Sequence, residues 1–218
     1  MMQNIQQQQS ADEMENMKTG TTTLGVVAEN GVVLAADNRA TMGHLKVSKK
    51  AQKVFKIDDT IGLTIAGSVG DAQKLVRVMR SQLKLYKLET KELSVKGTST
   101  LLSNILHSSK MMPFMNQFIV GGIDDDGGVV YDLDPMGGLM PYREFTATGS
   151  GSTMAYGVLE DSYEESMDLE DATRVAVRSL QAAMERDTAS GDGMDVVQID
   201  EDDGFSKLDD DAVEAYVE

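Results

Sequence analysis

TTTLGVVAENGVVLAAD, residues Thr21–Asp37, holds the chain's strongest short-range signal. Two apolar runs, Leu24–Glu29 and Val32–Asp37, flank Asn30-Gly31. Asn-Gly supplies the positive-φ residues of a tight hairpin turn, so the pattern predicts two antiparallel strands. The threonines at the front are β-branched and stiff at χ1, which favours extended backbone. One step upstream, KTGTTTLG (Lys18–Gly25) admits two readings. Gly20 is a turn feeding the first strand, or Gly20–Thr21 is a cut site. A cut there leaves Thr21 with a hydroxyl and a free α-amine on adjacent carbons.

Further outward, Val54–Ile57 and Ile61–Ala66 read as a second strand pair around Asp58-Asp59-Thr60. The period then changes. Ala72, Leu75, Val76, Met79, Leu83 and Tyr86 fall at helical spacing after Gly70, and Leu101, Leu102, Ile105 and Leu106 mark a helix ending near Met112-Pro113. Strands return at Gln117–Ile123, Val129–Leu133 and Glu144–Thr148. Two helices follow, one after Ser152 and one carrying Ala172, Val175, Ala176, Leu180 and Ala183. Met194–Ile199 is a last strand, and Asp209–Val217 a short helix. Hairpin-linked strands in blocks separate from helix pairs favour antiparallel sheets covered by helices. The expected class is α+β, and a four-layer α-β-β-α sandwich uses this order well.

Composition excludes several functions. The 218 residues suit one domain with a real core, and no repeat or linker divides them. A net charge of -16 argues against nucleic acid, whose binding needs clustered Lys and Arg, and suits a salty cytoplasm where screening is strong. With no cysteine there is no thiol catalysis, disulfide or Cys-based metal site. His44 and His107 form no metal-spaced pair, so no metal is expected. The leader MMQNIQQQQSADEMENMK is polar and Gln-rich, resembles no targeting signal, and is expected to be disordered. No segment is apolar for the length a membrane span needs, so an intracellular location is expected.

Three constellations compete for the chemistry. Ala66-Gly67-Ser68-Val69-Gly70 sits between a predicted strand and helix, the context of a nucleophile elbow. Its partners fail, because only His107 follows Ser68 and no later histidine exists. Thr148-Gly149-Ser150-Gly151-Ser152 is a small-residue turn, read as an anion site or as a helix start with serine capping. The third set is distributed: Thr21, Asp37, Lys53 and Arg186–Gly191. Spacing alone does not show that they meet.

TTTLG, AADNRAT (Ala35–Thr41), the Lys53 region, IAGSVGDAQ (Ile65–Gln73), TGSGS and RDTASGDG together resemble the catalytic β subunit of the archaeal-type proteasome, from Gly20 to about Ser206. The resemblance implies the α-β-β-α sandwich of the N-terminal-nucleophile hydrolases. It implies residues 1–20 as a self-removed propeptide, cut at Gly20–Thr21, and 21–218 as one catalytic domain. The implied activity is a threonine-type endopeptidase that degrades unfolded proteins under ATP-driven regulation, in the cytoplasm and without a cofactor. By the same resemblance Thr21 is the nucleophile, Lys53 supplies positive charge, and Asp37 holds Lys53. The Gly67 amide serves the oxyanion, and Ser150, Asp187 and Ser190 orient the Thr21 amine. Ala40, Thr41, Ala51, Ile65 and Val69 bind substrate. The implied partners are homo-oligomeric β rings stacked with rings of a separate α subunit, and an AAA-type ATPase unfoldase. A non-catalytic ring subunit of the same fold and a small-molecule amidase are the competing functions.

Overall fold

The computed structural model describes residues 20–43, 45–90 and 93–217; the leader and His44 lie outside them. Two five-stranded antiparallel sheets make the centre. The first has the order β10-β1-β2-β11-β12, with β1 Thr22–Ala28, β2 Gly31–Asp37, β10 Phe145–Gly149, β11 Met194–Asp200 and β12 Gly204–Lys207. The second has the order β5-β6-β7-β8-β9, with β5 Val54–Asp58, β6 Ile61–Gly67, β7 Asn116–Asp124, β8 Gly127–Leu133 and β9 Leu139–Tyr142. A separate two-stranded hairpin, β3 Ala40–Met42 and β4 Leu45–Ser48, joins neither sheet. The helices are α1 Val69–Thr90, α2 Val95–Ser108, α3 Ser152–Ser162, α4 Leu169–Arg186 and α5 Asp210–Glu214.

Strand alternation sorts side chains into three cores. Leu24, Val26, Val33 and Ala35 of β1 and β2 pack under α3 and α4 with Ala155, Leu159, Ala176 and Leu180. Ile61, Leu63 and Ile65 of β6 pack under α1 and α2 with Leu75, Met79 and Leu102. The intervening residues Val27, Val32, Leu34, Ile119, Val130 and Val197 fill the layer between the sheets. Because both faces of the central strands are covered, β1 and β2 are buried at every position. That is why they read as continuous apolar runs rather than as alternating strands. The order is helix, sheet, sheet, helix.

The two sheets approach closely because glycine stands where they meet. A Cβ on Gly121 would lie 2.8 Å from Leu34 Cδ2 and 3.1 Å from Val130 Cγ1, and one on Gly25 would lie 2.9 Å from Val130 Cγ1. Helix starts follow from caps. Ser94 accepts from the Gly97 amide at α2, and Asp168 from the Asp171 amide at α4.

Four strands were not expected from the sequence, and α2 ends at Ser108, before Met112-Pro113. β3, β4, β9 and β12 are only three or four residues long and, apart from the buried Thr41, at most half-buried, so apolar periodicity cannot mark them. β9 carries Pro141, which an edge strand tolerates. The predicted serine cap of α3 is absent. Gly151 occupies the cap position with no side-chain bond, and Ser150 is turned to other use.

We expect Gly121→Val to overpack the layer between the sheets and destabilise the unassembled subunit by about 1–3 kcal/mol. Urea unfolding should show a lower midpoint at unchanged slope.

Candidate active site

The site forms where β1 begins and β2 ends. Asp37, the last residue of β2, is fully buried, and its carboxylate accepts four donors. Oδ1 takes the Thr22 amide at 2.9 Å and Lys53 Nζ at 2.8 Å. Oδ2 takes the Arg39 amide at 3.0 Å and the Gly191 amide at 2.9 Å. Lys53 precedes β5 in the other sheet and is also buried, so the ion pair crosses between the sheets. Burial holds the Lys53 ammonium below its ordinary pKa, against the opposing pull of Asp37.

The three threonines divide their work by alternation. Thr22 Oγ1 points to the helix side and meets Ser190 Oγ at 2.7 Å. Thr23 Oγ1 points between the sheets, where it bonds Thr148 Oγ1 and receives Thr64 Oγ1 of β6, each at 3.0 Å. Thr21 faces a cavity of about 260 Å³ that Lys53, Gly67 and the β3–β4 hairpin also line. All three are buried, which a solvent-facing threonine run would not be.

The Thr21 amide donates to Ser150 Oγ at 3.2 Å, and the Ser150 amide returns a bond to Thr21 O at 2.8 Å. Ser150 Oγ in turn donates to Asp187 Oδ2 at 2.5 Å, and Ser190 Oγ donates to the same oxygen at 2.7 Å. Asp187 and Ser190 thus reach the Thr21 nitrogen through Ser150. α4 delivers Asp187 at its C-terminal end, where the Asp187 amide caps Ala183 O at 2.7 Å. Upstream, the Gly20 amide donates to Thr41 Oγ1 at 3.0 Å. A side chain at position 20 would collide with Ala189.

Gly67 ends β6 at φ +133°, a backbone region that disfavours side chains, and a Cβ there would strike Met115 O. Ser68 also lines the cavity. Its carbonyl accepts from Asn116 Nδ2 and the Ala72 amide, both at 3.0 Å, and among the described residues no histidine or carboxylate bonds its hydroxyl. His107 lies in the last turn of α2. Ala40, Thr41 and Ile65 line the cavity. Ala51 is buried with its amide on Asn38 O and is not part of the lining, while the Val69 side chain lies outside the described residues.

Sequence reasoning passed over Arg39, Lys46, Asn116 and Asp192. Asp192 Oδ2 receives Arg39 Nε at 2.7 Å and Oδ1 receives Lys46 Nζ at 2.9 Å. These bonds hold its carboxyl down at a pKa of about 2. The one available signal was Asp192 lying between two glycines. None of the described helices is long and apolar enough to cross a membrane.

The family model described as Proteasome subunit matches residues 17–199. Among curated proteins, the chain is similar to the proteasome subunit beta of Methanohalophilus mahii, 49% identical over 94% of this chain and 99% of that one. It is similar to the proteasome subunit beta of Methanocaldococcus vulcanius at 52% identity, over 85% of this chain and 84% of the relative. The Methanosarcina mazei proteasome subunit beta is 48% identical over 93% and 97%.

Removing one partner of the buried pair should be costly in an asymmetric way. Asp37→Ala strands a buried ammonium and three backbone donors, and should cost about 3–5 kcal/mol in thermal unfolding. Lys53→Met leaves Asp37 its three amides and should cost less. Lys53 binds its proton less tightly folded than unfolded. Its contribution to stability therefore rises with pH between its folded pKa and 10.5, and Lys53→Met should abolish that increment in a pH series of unfolding.

Proposed function

The chain belongs to the proteasome subunit family, and we propose that it is a peptide-bond hydrolase whose nucleophile is the hydroxyl of Thr21, exposed by removal of residues 1–20. Membership carries assembly into a proteasome core particle. The observation that supports the threonine reading best is the position of Thr21. It lies on the cavity wall beside Lys53, with its nitrogen on Ser150 and the Ser150–Asp187–Ser190 cluster behind it.

A threonine hydroxyl needs a base, and an α-amine with a reference pKa of about 7.7–8.0 suits neutral pH. While Gly20 is attached, that nitrogen is an amide and takes no proton. Hydrolysis of the Gly20–Thr21 bond therefore makes the base as well as removing the leader. In the mature subunit the amine accepts the Thr21 hydroxyl proton as the oxygen adds to a substrate carbonyl. The resulting oxyanion meets the Gly67 amide. The amine then passes the proton to the departing peptide amine, leaving an ester on Thr21, and water hydrolyses that ester. Lys53, held by Asp37, favours the deprotonated amine through its positive charge.

The cavity's apolar walls, Ala40 and Ile65 with Met42 and Val47, favour substrates with a large apolar side chain before the cut bond. Burying such a side chain contributes about 1.5–3 kcal/mol, whereas an unpaired charge is penalised. In this reading residues 21–218 form one catalytic domain in the cytoplasm. The particle is built of homo-oligomeric β rings stacked with rings of an α subunit, and an ATPase unfoldase feeds it unfolded chains.

Thr21→Ala should remain folded, keep its leader in intact-mass measurement, and lose on the order of 10⁶ in kcat. Active protein carrying residue 20 would refute the mechanism. Substantial cleavage by the variant would shift the nucleophile to Ser68. With wild type, kcat/KM should rise as pH passes the amine pKa. Peptides with Leu, Tyr or Phe before the cut bond should be preferred over Lys, Arg or Asp at the same position.

A further inference from the structure

The β3–β4 hairpin supplies Ala40, Thr41, Met42 and Val47 to the cavity, yet it pairs with neither sheet. Three and four residues of two-stranded ribbon are marginal in water unless something else ties them down. One tie is the Gly20 amide on Thr41 Oγ1, and the proposed maturation cut removes it from the chain that remains. Another is Asp192. Its two carboxylate oxygens are divided between Arg39, immediately before β3, and Lys46, within β4.

The loop carrying Asp192 is itself locked to the amine-holding end of the site. The Asn38 amide is shared between Gly191 O at 3.2 Å and Gly193 O at 2.9 Å, and the Gly191 amide sits on Asp37. Arg39 Nη1 also donates to Thr188 O at 2.7 Å, five residues after which the loop ends at Gly193. Gly191, Asp192 and Gly193 all have positive φ, at +148°, +63° and +106°. For a residue with a side chain that conformation is uncommon, although Asn and Asp tolerate it best. Asn would satisfy the backbone equally, so the charge is what the position uses. We propose that Asp192 is a positioning residue for peptide hydrolysis: its carboxylate fastens the substrate-wall hairpin to the loop that carries Asp187 and Ser190, and thereby sets KM.

This rests on the peptide-hydrolase reading above, so the test has one arm in catalysis and one outside it. Asp192→Asn and Lys46→Met are made singly and together in the full chain, with Lys46→Arg as the conservative control. Lys46 is 39% exposed, so solvent screens its bond, and each single change should raise KM for a fluorogenic peptide about three- to tenfold. kcat should stay within about twofold. The double variant should be no worse than Asp192→Asn alone, because that change already removes the Lys46 ion pair, and Lys46→Arg should keep the wild-type KM. Independently of turnover, hydrogen exchange of the amides in 40–48 should quicken in Asp192→Asn while β1 and β2 stay protected. Wild-type KM together with wild-type exchange at 40–48 in Asp192→Asn would overturn the proposal. If the wild type assembled into its core particle cleaves no peptide, the hydrolase reading falls, and the exchange arm still decides whether Asp192 fastens the hairpin.

Discussion

The Asp37 carboxylate lies beyond reach of solvent at the end of β2 and receives four donors from four separate parts of the chain. A buried charge is tolerated only when paired and fully hydrogen-bonded, so this residue constrains everything around it. The Thr22 amide fixes where β1 starts, and with it where Thr21 stands. The Gly191 amide fixes the loop after α4. Lys53 ties the second sheet to the first at the cavity's edge. Displacing any of these groups would leave a buried polar atom unsatisfied, which is a stiffer restraint than apolar packing, where neighbouring side chains can adjust.

Around that restraint the fold supplies two kinds of surface to one place. The layer between the sheets is apolar along most of its length, kept thin by glycines such as Gly25 and Gly121. Toward the N-terminal end of β1 it turns polar, through Thr23, Thr64 and Thr148, before opening into the cavity. Hydroxyl groups satisfied by each other allow polar atoms to sit in a packed interior and to orient the chain as it enters the site. Thr21 lies at the boundary between that ordered layer and open space. Under the proposed reading, a nucleophile there would be held by the packed layer and would face the cavity.

The chemistry proposed for Thr21 depends on what precedes it. An amide nitrogen already occupies the place of the future amine and already bonds Ser150. In that proposal the architecture is assembled before the base exists, and hydrolysis of one bond would change the proton affinity of a single atom without rebuilding its surroundings. The proposed cut would take with it the Gly20 bond to Thr41, leaving side chains such as Asp192, Arg39 and Lys46 to hold the β3–β4 hairpin.

Local pattern made much of this molecule legible. Asn30-Gly31 gave away the first hairpin, long apolar stripes marked α1 and α4, and the block order of strands and helices pointed to covered antiparallel sheets. Short motifs with their order along the chain carried the family resemblance. What local pattern could not decide was company. Asp37 and Lys53 are sixteen residues apart with nothing in the spacing to show that they meet, and only the stacking of two sheets makes them a buried pair. Ser150 read as a helix cap, but the close approach of the α4 end turned its hydroxyl to Asp187 instead. β3, β4 and Asp192 left almost no trace, because short half-exposed strands have no apolar period, and a salt bridge spanning 146 or 153 residues has no local signature. Periodicity encodes which face of an element is buried. Which polar groups meet there is decided by how the layers stack, and that is a property of the whole chain.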